Sequence, residues 1–193
     1  MMEELRHKIV SCAHARFLNG GIKWLNLDCI ASDCGISKKT LNQHFNRNQL
    51  IDAVIGNKIQ TYHQFLFKTE KDQLDTVEGL TRVLRFTATL SSDFSDIFLR
   101  DLRKHYQKNW LMIDNFITGS LKEFFVANLT GGITSGIYRK GMDVVLLTEI
   151  YLNTVFMLIV RPPRQLNAAQ GERSIREMND NFLAGIMNIH TAK

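Results

Sequence analysis

The stretch that most restricts what this chain can fold into runs from Asn26 to Phe45. Asn26 is a good helix N-cap, and Leu27, Ile30 and Ala31 follow at helical spacing, which puts one apolar face inward. Gly35 stands where that helix should stop, because glycine takes a positive φ at little cost. Ser37 then caps a second helix that opens with Lys38, Lys39 and Thr40. Leu41 and Phe45 lie four apart on its inner side and leave Lys39, Thr40, Gln43 and His44 looking outward. A short helix with a basic, amide-bearing outer face suits the major groove of DNA. Lysine and glutamine read purine edges there, and lysine, threonine and histidine hold phosphates. Two helices joined in this way follow helix-turn-helix logic.

The pattern Asp28-x-Ile30-Ala31-x-x-x-Gly35-Ile36-Ser37-Lys38-Lys39-Thr40-Leu41-x-Gln43-His44-Phe45 resembles the DNA-binding core of TetR-type (TetR/AcrR) bacterial transcriptional regulators. Upstream, Ile9-Val10-x-x-Ala13-x-x-x-Phe17-x-x-x-Gly21-Ile22 resembles that family's first helix and the turn after it. A second, narrower resemblance, to a subgroup common in Bacteroides-like bacteria, rests on Leu102-Arg103-Lys104-x-Tyr106 and Gly132-Ile133-x-x-Gly136-Ile137-Tyr138-Arg139-Lys140. The family resemblance implies a homodimer on a palindromic double-stranded DNA operator. It also implies an unidentified small-molecule effector in a C-terminal bundle, and dimerisation through the last two long helices.

The chain departs from the family pattern in places. Asn42 stands where a tyrosine usually packs and contacts phosphate, and Leu25 where a threonine often touches the DNA backbone. The segment from Phe45 to Leu50 is one residue short or has an apolar residue out of register, so the customary lysine there is either Arg47 or replaced by Asn48. If each lost contact costs ~1 kcal/mol, two losses weaken binding about thirtyfold.

Composition narrows the alternatives. A length of 193 residues and 45% hydrophobic content allow a real core, and the 2 prolines are adjacent, leaving most of the chain free to be helical. The net charge of +5 fits a polyanion partner but also a merely soluble basic protein. The 3 cysteines include no C-x-x-C pair, which speaks against a disulfide framework or zinc finger and for a reducing cytoplasm. The N-terminus is polar and shows no signal peptide, and no apolar run reaches the ~18 residues of a membrane span. Val144 to Val160 comes nearest, broken by Glu149, Asn153 and Thr154. A cytoplasmic protein with no membrane partner is therefore expected.

Helical periodicity continues along the chain. A first helix over 2–19 carries Leu5, Ile9, Ala13 and Phe17 in one stripe, with Arg16 lying its stem on the core. Ile22 and Trp24 lead the chain back against the bundle. Asn46-Arg47-Asn48-Gln49 has the form of a capping box, opening a long helix from about Arg47 to Lys68. A loop over 69–75 and a helix over 76–90 follow, and Ser91-Ser92-Asp93 reads as a stop and a new cap. A short helix then holds Phe94, Ile97, Phe98 and Leu102, its basic end (Arg100, Arg103, Lys104, His105) reading as a solvated face. Residues 107–129 form a helix that is aromatic on more than one side, and Gly131-Gly132 weakens what comes next. Gly136 and Gly141 bracket a turn. Asp143 caps a strongly apolar helix over 144–160, ended by Arg161-Pro162-Pro163; 164–172 is a loop and the last helix covers about 173–190. The expected fold is all-α: a three-helix DNA-binding head in a domain of residues 1–60, a connecting helix, and a helical bundle in 61–193 for effector binding and dimerisation. The apolar excess of 144–160 and the stripe Ile175, Met178, Phe182, Ile186 and Ile189 fit either an interface or burial within one subunit.

The candidate DNA contacts are Lys38, Lys39, Thr40, Asn42, Gln43, His44, Arg47 and Asn48. Gln43 is the best base reader, since its amide pairs with adenine at two points; Lys39 suits guanine or phosphate. The competing reading of this face is a solvated polar surface on an unrelated bundle. Phe86, Phe94, Trp110, Met112, Phe116, Tyr151 and Met157 are candidates to line an effector pocket, or are simply core. Cys12, Cys29 and Cys34 read either as redox sensors near basic residues or as two small core residues and one exposed thiol. No metal-ligand spacing, phosphate-cradling glycine loop or catalytic constellation stands out, so no metal, cofactor or enzymatic activity is expected. The chief alternative function is a helical interaction protein whose head no longer binds specific DNA.

Overall fold

The computed structural model describes residues 2–23, 25–160 and 168–188. Among these the regular structure is helical: α1 (Met2–Gly20), α2 (Leu27–Asp33), α3 (Lys38–His44), α4 (Arg47–Lys71), α5 (Thr76–Asp93), α6 (Asp96–His105), α7 (Gln107–Asn115), a π-helical segment (Phe116–Leu121), α8 (Lys122–Thr134), α9 (Val144–Val160) and α10 (Ala168–Ile186). The all-α expectation holds. Trp24, the Arg161-Pro162-Pro163 terminator and Ile189 lie outside the described residues.

The chain divides into two compact units, Met1–Thr61 with Phe94–Asp114, and Tyr62–Asp93 with Asn115–Lys193. In the first unit, Ile9, Ala13 and Phe17 of α1 are fully buried, as their spacing predicts. α1 packs on α2 and on α6, where the buried Phe98 has its ring centroid 5.3 Å from that of Phe17; Ile30, Leu41 and Phe45 are buried in the same unit. Arg16 is not laid along the core alone. It grips the carboxylate of Asp33 at the end of α2 through two hydrogen bonds of 2.6 and 2.8 Å. Stretch 94–114 belongs to this unit, and a buried side chain is one of the ties that hold it there. Asp101 Oδ2 accepts from the backbone N–H groups of Ile22 at 2.7 Å and Lys23 at 2.8 Å. Gly21 precedes them with φ +70, and a Cβ there would sit 2.5 Å from Asp101 Oδ2, so no other residue fits.

Several element boundaries differ from the sequence pattern. α5 runs through Asp93 rather than stopping at Leu90, and the next cap is Ser95, whose hydroxyl accepts from Phe98 N–H. Thr89 and Ser92 bond back to carbonyls three residues earlier instead of opening a cap, and Asp93 accepts from the Tyr62 hydroxyl at 2.8 Å. The 107–129 helix becomes α7, a π turn and α8. A π turn carries an extra residue, which re-phases the buried face and accounts for aromatics on more than one side. α8 continues through Gly131 and Gly132 because the Tyr138 ring packs onto Gly132, where a Cβ would collide with it. α10 opens at Ala168, so part of the expected 164–172 loop is helical.

The second unit packs α5 against α8, α9 and α10 around Leu80, Val83, Leu84, Phe125, Leu129, Val155 and Ile175. A buried polar chain crosses it. The Thr87 hydroxyl lies 2.8 Å from the Tyr151 hydroxyl, which donates to Asn179 Oδ1 at 2.8 Å, and Asn179 Nδ2 donates to the Leu84 carbonyl. Burial raises the Tyr151 phenol well above its ordinary value, so it stays a donor. The Tyr138–Met187 bridge and the bond from Arg139 N–H to the Ile186 carbonyl fasten the end of α10 to the turn after α8. Asp101→Ala leaves two backbone donors of the α1–α2 turn unpaired, and is expected to lower unfolding free energy by about 2–3 kcal/mol in urea denaturation. Asp101→Asn, which keeps an acceptor oxygen, is expected to cost less.

Candidate nucleic-acid interface

α3 has 7 residues and cannot hold itself together in water, so its outer face depends on what fastens its ends. At its start the Ser37 hydroxyl accepts from Thr40 N–H at 3.0 Å and lies 2.8 Å from the Thr40 hydroxyl. At its end Arg6 of α1 donates to the His44 carbonyl at 3.1 Å, with its guanidinium 4.2 Å above the Phe45 ring. α2 is treated alike: Asn26 accepts from Asp28 N–H at 2.8 Å, and Lys8 donates to the Cys34 carbonyl at 3.1 Å. Two cations from α1 thus sit on the two helix C-termini, where the backbone dipoles favour positive charge. Gly35, with φ +66, makes the turn between the helices.

Buried Leu41 and Phe45 fix which side of α3 faces out. Lys39, Asn42 and Gln43 are exposed and have no hydrogen-bond or ion-pair partner among the described residues. Lys38 is exposed and donates to Asp28 at 2.9 Å, a solvated pair that costs little to exchange for a phosphate. Thr40 is half-buried on Ser37, and His44 is half-buried with its carbonyl held by Arg6. Asn48 is exposed in the first turn of α4, which opens with the expected capping box: Asn46 Oδ1 accepts from Gln49 N–H and Gln49 Oε1 from Asn46 N–H, each at 2.9 Å. Arg47 turns the other way. Its guanidinium donates to the carbonyls of Ile22 at 2.7 Å, Lys23 at 3.0 Å and Leu25 at 3.3 Å, and to the Tyr106 hydroxyl. The structure therefore gathers Lys38, Lys39, Asn42 and Gln43 on one open face, with Asn48 at the head of α4 and Arg47 inside.

Three positioning residues went unread in the sequence. Arg6, Lys8 and Asp101 act on groups 38, 26 and 79 residues away, so no local pattern announces them. Within the same unit, Asp52 accepts from Lys108 and Asn109, which hold its carboxyl below the usual range. The basic end of α6 is exposed, with Arg103 reaching over Trp110.

The cysteines differ among themselves. Cys34 is buried while Cys12 and Cys29 are half-buried. Burial, with Cys12 beside it, pushes the Cys34 thiol up to about 11, away from the thiolate a redox sensor needs. The residues expected to share a pocket fall in both units, and in the second Phe86 and Phe116 both pack on Tyr62. Phe94, Trp110 and Met112 belong to the first unit; Phe86, Phe116, Tyr151 and Met157 to the second. Within the second unit, Phe116 lies against Tyr62 and His63, Tyr151 against Phe125 and Phe182, and Met157 is 48% exposed. Among the described residues, no group of three or more His, Cys, Asp or Glu is placed to hold a metal ion, and no helix is long and apolar enough to cross a membrane.

No family model and no curated protein matches the chain. Solved structures match over nearly its whole length. A TetR-family transcriptional regulator from Agrobacterium tumefaciens superposes with a TM-score of 0.75 at 18% identity, covering 96% of this chain and 99% of that one. The chain has the TetR-type fold. The transcriptional regulator FadR from Bacillus subtilis in complex with stearoyl-CoA shares that fold with a TM-score of 0.65 at 19% identity, covering 93% of this chain and 98% of the other. AibR in complex with isovaleryl coenzyme A and operator DNA matches with a TM-score of 0.63 at 16% identity, covering 90% and 97%. These matches lend no support to the narrower resemblance to a Bacteroides-like subgroup.

In this TetR-type head, the raised Cys34 pKa makes a pH-dependent contribution to stability. A thiol held protonated in the fold contributes fully below its ordinary value of 9.0, and the contribution is lost as pH rises towards about 11. Wild-type unfolding free energy is expected to fall more steeply across that window than that of Cys34→Ala, as urea titrations at several pH values will show.

Proposed function

We propose that this chain is a ligand-responsive transcriptional regulator of the TetR type, a repressor that holds a palindromic operator as a homodimer. The observation that carries this is the outer face of α3. Lys39, Asn42 and Gln43 stand exposed and unpartnered among the described residues, on a helix capped by Ser37 and held by Arg6. On DNA, Gln43 and Lys39 read base edges, while Lys38, Thr40, His44 and Asn48 hold the backbone. Asn42 is short, so it replaces the family's tyrosine only as a weak phosphate contact. Arg47 contributes its charge and the shape of the α1–α2 turn rather than a direct bond.

The second copy fits on α9. Leu146, Ile150 and Met157 are 53%, 56% and 48% exposed and lie on one side of the helix, a stripe of large apolar side chains. Pairing α9 and α10 with their counterparts covers it and sets two recognition helices about one DNA turn apart, ~34–36 Å. Effector binding in the second unit then selects a dimer with a different head spacing. The loss of operator affinity is bounded by the effector's own preference between the two forms. The structural neighbours seen with stearoyl-CoA and isovaleryl coenzyme A make acyl thioesters the first effectors to try. A regulator of this kind works in the cytoplasm and needs no cofactor or catalytic group.

Fluorescence anisotropy with DNA flanking the gene against a scrambled duplex, at two salt concentrations, tests the reading. Tight, selective and salt-sensitive binding is expected. Equal, weak binding to both duplexes favours the helical interaction protein, for which Asn42 and the inward Arg47 are the supporting observations. Gln43→Ala is expected to lose ~1–3 kcal/mol of discrimination at one base pair. Lys38→Ala is expected to weaken all sequences and lower the salt slope by about 1. Ile150→Glu is expected to shift the protein to monomer in light scattering and to weaken operator binding.

A further inference from the structure

The second unit carries an open groove of about 800 Å³ along α5. One wall is aromatic. Phe65 of α4 and Phe86 of α5 stack with ring centroids 4.4 Å apart at 19°, and Tyr62 braces Phe86 edge-on at 5.2 Å. Beside this shelf stand two guanidinium groups. Arg82 is held by Asp72 at 2.6 Å and lies 5.7 Å from the Phe65 ring centroid. Arg85 is exposed and has no hydrogen-bond or ion-pair partner among the described residues. Arg82, Arg85 and Phe86 lie within a turn of one another, so cation and shelf share one face of α5.

Charge along the groove has a direction. Asp75 and Glu78 line its other end, and the Asp75 carboxylate is already used to cap α5 by accepting from Glu78 N–H at 2.8 Å. Glu78 and Arg85 are seven residues apart, about 10 Å along a helix. An anionic head is repelled at the first end and met by a planar donor fork at the second. An uncharged, flat body lies beside that fork against the phenyl rings, the mostly apolar, sparsely polar lining that ligand sites share.

We propose that this groove binds a small organic anion, with its carboxylate, sulfonate or phosphate on Arg85 and Arg82 and its apolar body on the Phe65–Phe86 shelf. As a binding site it stands on this geometry; as the effector site it rests on the regulator reading above.

Isothermal titration of the full chain with 2-naphthalenesulfonate and with its neutral analogue 2-naphthalenemethanol tests it. The sulfonate is expected to saturate one site per chain and to bind roughly tenfold or more tightly than the alcohol, the effect of a charge-assisted hydrogen bond. Arg85→Gln is expected to abolish that preference, and Glu78→Gln to strengthen sulfonate binding. Circular dichroism checks that both variants are folded. No sulfonate binding, equal binding of the two probes, or an Arg85→Gln variant that binds like wild type would each overturn the proposal. The operator titration stays independent. Arg85→Gln is expected to bind DNA as wild type does, so silence in calorimetry removes the groove and spares the regulator, while failure on DNA does the reverse.

Discussion

The turn between α1 and α2 is fastened in both senses of hydrogen-bond polarity, and the first unit depends on it. Its donors, the N–H groups of Ile22 and Lys23, go to the buried carboxylate of Asp101. Its acceptors, the carbonyls of Ile22, Lys23 and Leu25, go to the guanidinium of Arg47. An unpaired backbone group in a buried turn costs as much as a lost hydrogen bond, so this double attachment fixes the entry into α2. It also brings α6 and the start of α4 to the same place. The acid on α6 joins the Phe17–Phe98 packing and the bonds from Lys108 and Asn109 to Asp52 in holding a stretch distant in sequence to the head.

From that turn the helix-turn-helix inherits its rigidity. α2 and α3 are 7 residues each and have little helical stability of their own. Side-chain caps close their N-termini, and Arg6 and Lys8 close their C-termini from α1. All of these bonds lie on the inner side or at the ends. Lys39, Asn42 and Gln43 on the outer face are left unspent among the described residues, which is the arrangement a surface that exchanges water for base edges and phosphates requires.

The second unit is organised differently. Its helices are joined by apolar packing with one polar chain, Thr87 to Tyr151 to Asn179 to the Leu84 carbonyl, through its centre. A fully paired chain of this kind fixes how α5, α9 and α10 meet, since any slip leaves a buried group without a partner. α9 is apolar nearly all round, and this polar chain decides which side turns inward. Val145, Leu146, Ile150 and Met157 are the large apolar side chains of α9 that stay exposed among the described residues.

The sequence by itself determined the helices, the capping box at Asn46, the caps at Asn26, Ser37 and Asp143, the Gly35 turn and the open face of α3. Each of these signals lies within four residues of the group it acts on, or repeats at the helical period, so it can be read locally. Where local rules compete, reading was less certain: Ser91-Ser92-Asp93 carries stop and cap residues, yet back-bonding and the Tyr62–Asp93 bond keep it helical. Only the tertiary structure decided that Asp101 holds the α1–α2 turn, that Arg47 points inward, that 94–114 joins the head, and that Phe65 and Phe86 meet. These depend on pairs of groups tens of residues apart, brought together by packing, and helical periodicity says which face is buried without saying against what.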